Sequence, residues 1–448
     1  MELFGANPGR RAIVYFLSII AVGSLLLVLP VSANNRTISY IDALFTSTSA
    51  VCVTGLVALD TSSDFSTFGQ VIILIMIQLG GLGIMAFATI LIMMPGTRLS
   101  FLDRLGLSET YGTGSAKFAR YILKAIILTT LTVELIGFLV LFVRFRTEFP
   151  GSQAAFHAVF HSISAFCNAG FSTFPDNLQG RGQDLIVVFT IAGLIVCGGL
   201  GFVVIGELAE RTRFKKSRLS LHTKLCLTVT GILLLSGTVA FIITEWDNVF
   251  KTMGFGYTVV NAFFQSVTAR TAGFDTFSQR SMTEVSILVT IVLMFIGVCP
   301  GSTGGGIKTT TAAVISLLIY HRFRGRRSMS AFKRAISPDS VVRALTVALL
   351  AVVVISVMFA LLLFLQERAM PHEQSRGWFV DNLFEVVSAF GTVGLSLGLT
   401  PKLSVLGKLT IILTMIIGRV GLLTLAFALA RPPQRGEVVY PDESVMVG

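Results

Sequence analysis

Charge is scarce in this chain. Asp, Glu, Lys and Arg make up only 13% of the 448 residues against 53% hydrophobic, and the mean hydropathy is +0.80. That shortage excludes a water-soluble enzyme of this length and points to a bilayer. Cysteine is sparse and scattered: Cys52, Cys167, Cys197, Cys226 and Cys299 show no CxxC spacing and lie in or beside apolar segments, so neither a disulfide framework nor a zinc site is indicated. The His, Asp or Glu cluster at membrane depth that an embedded enzyme would need is missing as well.

What the chain has is long apolar runs. A helix needs ~20 residues to span hydrocarbon. The clearest runs are Ala12–Leu29, Val71–Met94, Tyr121–Val143, Leu185–Ile205, Leu225–Thr244, Ile287–Val298 with its continuation beyond Lys308, Val342–Leu365 and Leu409–Leu429. They predict an all-α membrane protein with about eight crossings. The net charge of +11 does not signal nucleic acid, because the basic residues gather in alternate loops: Arg98 to Arg120, Arg211 to Lys224 and Arg322 to Arg343, with Arg10-Arg11 and Arg431. That asymmetry places the three loops and both termini in the cytoplasm, where they also face anionic lipid headgroups. Val31-Ser32-Ala33 resembles a signal cleavage site, but the first run is longer than a signal core and is needed as a crossing, so Met1 is expected to start the mature chain.

One phrase occurs four times: Phe, three residues, Ser or Thr, Ala, then Gly four or five residues later. It runs Phe45 to Ser49-Ala50 to Gly55, Phe160 to Ser164-Ala165 to Gly170, Phe264 to Thr268-Ala269 to Gly273, and Phe384 to Ser388-Ala389 to Gly394. Gly80-Gly81-Leu82-Gly83 and Gly198-Gly199-Leu200-Gly201 follow the first two copies, and the weaker Gly418-Arg419-Val420-Gly421 follows the last. The expected unit is therefore helix, re-entrant pore loop, helix, used four times: 1–95, 96–215, 216–330 and 331–448. Within the units, Tyr40–Ala50, Ala155–Phe166, Val259–Thr268 and Phe379–Ala389 are too short to span. They read as half-helices whose carboxyl ends point at one axis and favour a cation there. The loops that follow, Val53-Thr54-Gly55, Asn168-Ala169-Gly170, Thr271-Ala272-Gly273 and Thr392-Val393-Gly394, can supply rings of backbone carbonyls to a dehydrated cation.

A second landmark is Gly297-Val298-Cys299-Pro300-Gly301-Ser302-Thr303-Gly304-Gly305-Gly306-Ile307-Lys308. It cannot continue a helix, and such backbone survives at membrane depth only where protein or water satisfies it, so it should line the pore. A phosphate-binding loop is excluded by the spacing between Gly306 and Lys308 and by the lack of a preceding strand. Gly81-Leu82-Gly83 mimics a dinucleotide fingerprint but sits inside a crossing, where packing explains it. Arg419 stands mid-crossing, Glu134 fits either helix packing or a water-filled cavity, and Arg270 is expected to pair with Glu385 as a structural ion pair. His157 and His161 share a helix face but lack a third ligand, which favours packing over metal binding.

At these residues the chain resembles the Ktr/Trk/HKT superfamily of potassium transporters, most closely the Ktr-type membrane subunit. The resemblance is carried by Val53-Thr54-Gly55-Leu56, Asn168-Ala169-Gly170-Phe171, Arg270-Thr271-Ala272-Gly273-Phe274 and Gly391-Thr392-Val393-Gly394-Leu395, with Leu219-Ser220-Leu221-His222-Thr223-Lys224 and Tyr440-Pro441-Asp442. It implies that Gly55, Gly170, Gly273 and Gly394 end strands whose carbonyls hold potassium. It also implies that Cys299–Lys308 form an intramembrane gating loop with Arg419 nearby, and that four filter glycines favour potassium. Further implications are a homodimer with one pore per subunit, a tail from Val438 to Gly448 at the dimer interface, a cytoplasmic KTN/RCK-type nucleotide-binding regulatory ring, sodium as an activator, no cofactor on this chain, and a prokaryotic plasma membrane. The alternative is an ion-coupled secondary transporter of another solute, but that fold places a midplane site between paired halves with broken helices.

Overall fold

The computed structural model describes residues 8–34, 37–92, 116–213, 219–326, 328–367 and 378–421. Most of the basic stretch from Arg98 to Arg120, part of that from Arg211 to Lys224, Arg431 and the tail with Tyr440-Pro441-Asp442 lie outside the described residues. The fold is mostly helical. Helices α1 (Pro8–Val28), α2 (Tyr40–Val51) and α3 (Thr67–Ile92) pack on one another. So do α4 (Ala116–Phe145), α5 (Gly151–Phe166) and α6 (Leu185–Leu200), the last followed by α7 (Phe202–Arg213). Helix α8 (Leu221–Glu245) packs on α9 (Phe255–Thr268) and α10 (Glu284–Phe295), and α11 (Thr309–Phe323) leads through a hairpin of β1 (Ser330–Ala331) and β2 (Arg334–Ala335). The last group is α12 (Pro338–Glu367), α13 (Trp378–Gly391) and α14 (Val405–Val420).

A cycle of contacts joins the groups. Helix α3 touches α5, α6 touches α9, α10 touches α13, and α14 returns to α2, so the packing closes on itself. The Lys408 ammonium and the Asp42 carboxylate, 2.5 Å apart, fasten the closing contact between α14 and α2.

Local chemistry sets where the key helices begin. Helix α3 starts beside Ser66, whose hydroxyl accepts from the Gly69 amide; Asp184, Thr283 and Ser404 cap α6, α10 and α14 in the same way through Val187, Ser286 and Gly407. The phrase phenylalanines Phe45, Phe160, Phe264 and Phe384 are fully buried at the centre, while Leu235, Ile243 and Val143 stand 69%, 71% and 70% exposed on the outer face. Large aliphatic side chains left exposed on the outer face are how a protein is arranged when lipid is its solvent. Because lipid is as apolar as leucine, tight packing rather than hydrophobic transfer holds these helices together.

By length and composition, three described helices can cross a membrane: Leu123–Phe145, Leu221–Glu245 and Pro338–Gln366. The expected single crossing Leu185–Ile205 is instead broken. Helix α6 ends at Leu200, Gly201 takes a positive φ of 79°, and α7 leaves at 99°. A Cβ at Gly201 would meet the backbone of Pro300 and Gly301, so the bend is shaped around that loop.

Candidate functional site

Each of the four short helices α2, α5, α9 and α13 ends in a loop of the same form. The expected short helices are present with slightly longer bounds, and their hydroxyl residues explain the phrase. The backbone oxygens of Ser49, Ser164, Thr268 and Ser388 accept from the amides of Thr54, Ala169, Ala272 and Val393 at 2.8, 2.7, 3.0 and 2.8 Å. Their side chains brace the next turn of chain. Ser49 and Ser388 accept from the amides of Gly55 and Gly394, each at 3.1 Å, while Ser164 and Thr268 donate to the carbonyls of Phe171 and Phe274.

Thus held, the loops adopt an alternating conformation. Val53, Asn168, Thr271 and Thr392 have φ of 54°, 61°, 69° and 49°, and two residues on Gly55, Gly170, Gly273 and Gly394 have φ of 92°, 70°, 73° and 92°. Left-handed backbone at β-branched residues costs about 1–3 kcal/mol each and persists only where the surroundings impose it. Nothing in the residue types of Val53, Thr271 or Thr392 signals this, so the sequence pointed to the glycines and not to the strained position two residues before.

The four glycines meet in order. A Cβ built on Gly55 would strike Ala169 O and the Cα of Gly170; on Gly170, Ala272 O and the Cα of Gly273; on Gly273, Val393 O and the Cα of Gly394; on Gly394, Thr54 O and the Cα of Gly55. The loops therefore form a closed ring with no room for a side chain at any of the four. Among the described residues no donor hydrogen-bonds the carbonyls of Thr54, Ala169, Ala272 or Val393. Buried carbonyls without donors are rare in proteins, and one per loop, aligned by alternating backbone, suits a bare cation. Asn177, unnoticed in the sequence, sits at φ 58° and donates through Nδ2 to Gly273 O at 3.2 Å.

Beneath the ring lies the loop from Gly297 to Lys308. Ile296 and Ile307 bridge in parallel at its root. It is fastened directly to the second and fourth helical groups, and Arg419 links it to the first. The Cys299 and Thr303 amides donate to Gly199 O and Gly198 O, the Gly305 amide donates to Thr392 Oγ1 at 2.9 Å, and Gly304 abuts the Thr271 side chain. Arg419, 3% exposed, donates through Nη1 to Thr303 O and through Nη2 to Gly80 O at 3.0 Å. Lys308 folds back so that its ammonium meets Gly304 O at 2.7 Å. Two cations and a strip of backbone therefore lie directly below the carbonyl ring.

The expected Arg270–Glu385 ion pair does not form. The Arg270 guanidinium reaches Gly297 O and Thr230 Oγ1, both at 3.4 Å, at the root of the lower loop. Glu385 instead accepts from the hydroxyls of Ser396 and Thr400 in the chain that follows Gly394. The two helix ends face different layers, which linear spacing could not reveal. Glu134 is buried and accepts from Gln78 Nε2 at 3.2 Å. His161 is engaged by Ser172 Oγ and the His157 carbonyl, and His157 by Thr173 Oγ1.

Comparison with known proteins gives the family. Residues 10–436 match the family model described as TrkH, cation transport protein. The chain is 40% identical over 99% of its length to Ktr system potassium uptake protein B of Vibrio alginolyticus, covering 95% of that protein. It is 38% identical over 97% of its length to the potassium/sodium uptake protein NtpJ of Enterococcus hirae, again covering 95% of it. Its fold matches the crystal structure of the potassium transporter TrkH from Vibrio parahaemolyticus with a TM-score of 0.74 at 18% identity, covering 96% of this chain and 86% of that one. A ring of four glycine loops over a tethered backbone strip, on a chain matched almost end to end, therefore belongs to the TrkH family of cation transport proteins.

Proposed function

We propose that this protein takes up potassium across a prokaryotic plasma membrane. Four helix–pore loop–helix units, 1–95, 96–215, 216–330 and 331–448, surround one pore. The filter is Val53-Thr54-Gly55, Asn168-Ala169-Gly170, Thr271-Ala272-Gly273 and Thr392-Val393-Gly394. The observation that carries the reading is the closed ring of backbone carbonyls with no protein donor. A potassium ion sheds water there, because carbonyl dipoles on all sides replace its hydration shell without adding formal charge. Identity of 38–40% to proteins named for potassium or potassium/sodium uptake supports the choice of ion.

Cys299–Gly306 with Lys308 and Arg419 gate the path. The loop fills the passage under the filter and the two side chains add positive charge, so a descending cation meets steric and electrostatic obstruction together. Uptake is driven by the membrane potential, worth ~2.3 kcal/mol per charge per 100 mV. Both termini and the basic loops face the cytoplasm, where a KTN/RCK-type nucleotide-binding ring docks on a homodimer that sodium activates; similarity to Ktr-system membrane proteins supports the regulatory partner. Growth of a potassium-uptake-deficient bacterium on limiting potassium tests the reading. Rescue by the wild type and failure of Gly55→Ser is the expected result, and no rescue by a correctly inserted wild-type protein would overturn it.

A further inference from the structure

Seven residues beyond each ring glycine the four loops diverge, at Ser62, Asn177, Arg280 and Pro401. Ser62 Oγ donates to Asp60 Oδ1, and Arg280 and Pro401 are exposed. Asn177 alone of these four turns back to the ring. Its Nδ2 donates to Gly273 O at 3.2 Å and reaches Gly170 O at 3.5 Å, and its Oδ1 accepts from the Asp275 amide at 3.3 Å. Carbonyls can only accept and an amide N–H can only donate, so these partners fix which end of the side chain is which. Among the described residues no donor meets Gly55 O or Gly394 O.

The surroundings hold Asn177 in this position. Its φ of 58° is a left-handed backbone that Asn tolerates better than most residues. Its carbonyl accepts from Ser172 Oγ at 3.0 Å, its amide donates to Phe174 O, and the Leu178 amide donates to Asp275 O at 3.0 Å. Further on, Asn261 Nδ2 donates to Gly182 O at 3.0 Å, and a Cβ on Gly182 would meet Thr276 O. A strap from the second group, 177–182, is therefore fastened across the third loop. Thr271 and Thr392 touch the loop beneath, so the glycines two residues on lie in the layer farthest from it.

We propose that Asn177 is a positioning residue that divides this outer layer, holding Gly170 O and Gly273 O with its amide and leaving Gly55 O and Gly394 O as the free protein ligands. A carbonyl that already accepts a hydrogen bond has a lone pair engaged, and the amide hydrogens bring positive charge to that side. An entering potassium ion therefore sits toward Gly55 and Gly394 and keeps water on the Asn177 side. It sheds the rest one layer deeper, at the carbonyls of Thr54, Ala169, Ala272 and Val393. Dehydration in two steps keeps the outer site weak, and conduction needs sites that an ion can leave as well as enter. The inference rests on the carbonyl filter proposed above and adds where the first waters are lost.

The test uses the full-length protein. Asn177→Gly suits the left-handed backbone and removes the donors without adding charge, while Asn177→Asp keeps an acceptor for the Asp275 amide and removes only the donors. In liposomes both variants should lower the KM for potassium uptake about fivefold and lower the maximal rate, with the preference over sodium within about twofold of wild type. A KM unchanged or raised in both folded variants would overturn the assignment, and loss of preference with it would mark Asn177 as a structural clamp only. Rubidium located by anomalous scattering in crystals gives the second readout. In wild type its density in the glycine layer should be weak and displaced toward Gly55 O and Gly394 O, becoming stronger and centred in Asn177→Gly. Density equidistant from the four carbonyls in wild type, or unchanged by both substitutions, would overturn the inference and leave the filter standing. No rubidium at any level between the four loops would remove the filter and the inference together.

Discussion

The upper and lower halves of the central path are built from the same four stretches of chain under different rules. In the upper half each glycine backs onto the loop of the next group, and a change at one position is felt by its neighbour. In the lower half three groups agree and one departs. Gly80, Gly198 and Gly418 lie within their helices, where a Cβ would drive into the carbonyl of Val51, Phe166 or Phe390 at the end of a short helix. In the third group α10 stops at Phe295, Gly297 opens the lower loop, proposed above as the obstruction, and Arg270 stands where the others have Val51, Phe166 and Phe390. Coordination from all sides requires four equivalent loops. Obstruction requires only one, and a second copy would compete for the same space.

The upper half should break most severely. Gly55→Ser places a side chain at φ 92° against the Cα of Gly170 at 3.1 Å, with no open direction to relieve it. Discrimination between potassium and sodium should fall by about tenfold or more, a loss of ~1.4 kcal/mol in relative barrier. The same change at Gly394 should do similar damage. Competitive uptake of the two ions measures both, and indifference at either position would remove it from the ring.

Arg419→Ala probes the lower half. It removes a buried charge and two donors that link the loop, at Thr303 O, to Gly80 O of α3. Potassium influx should rise about three- to tenfold, with ion preference unchanged, because the ring above keeps its contacts. A fall in selectivity would mean that the two halves are one mechanical unit.

Ser388→Ala should act more gently. It deletes the acceptor of the Gly394 amide, a bond worth about 1 kcal/mol, while the backbone bond from Val393 to Ser388 remains. Potassium preference should drop by about fivefold or less, as measured by competitive uptake, and Ser49→Ala should match it.

The smallest effect belongs outside the ring. Burial pushes the Glu148 carboxyl up, but hydrogen bonding and charge from Arg181 and Arg144 outweigh it, leaving its pKa below the ordinary value. A depressed carboxylate stabilises the fold above the unfolded pKa of ~4.3 and loses that contribution as pH falls through the folded value. Thermal unfolding from neutral pH down to acid should therefore show a slightly steeper loss in wild type than in Glu148→Gln, with no change in ion preference.

Much of this arrangement is legible in the sequence because its chemistry is local. The hydroxyl in each phrase bonds the loop a few residues on, and Pro300 with Gly304–Gly306 cannot continue a helix anywhere. What the sequence hid depends on other parts of the chain. The left-handed backbone at Val53 and Thr392 is imposed by neighbouring loops against residue preference, and the 99° bend after Leu200 exists because Pro300 and Gly301 occupy its inner side. Arg270 and Glu385 looked like partners because one stands just before the third loop of the ring and the other on the neighbouring short helix. Their true partners, Gly297 and Ser396, belong to different layers.

The division of labour between the halves is tested most directly by deleting Gly304–Gly306 and measuring, in the same liposomes, initial potassium uptake per reconstituted protein and the preference for potassium over sodium. The account predicts faster uptake with the preference within about twofold of wild type, since the carbonyl ring and its hydroxyl braces stay in place. Uptake at or below wild type in folded protein, or faster uptake with the preference lost, would contradict it.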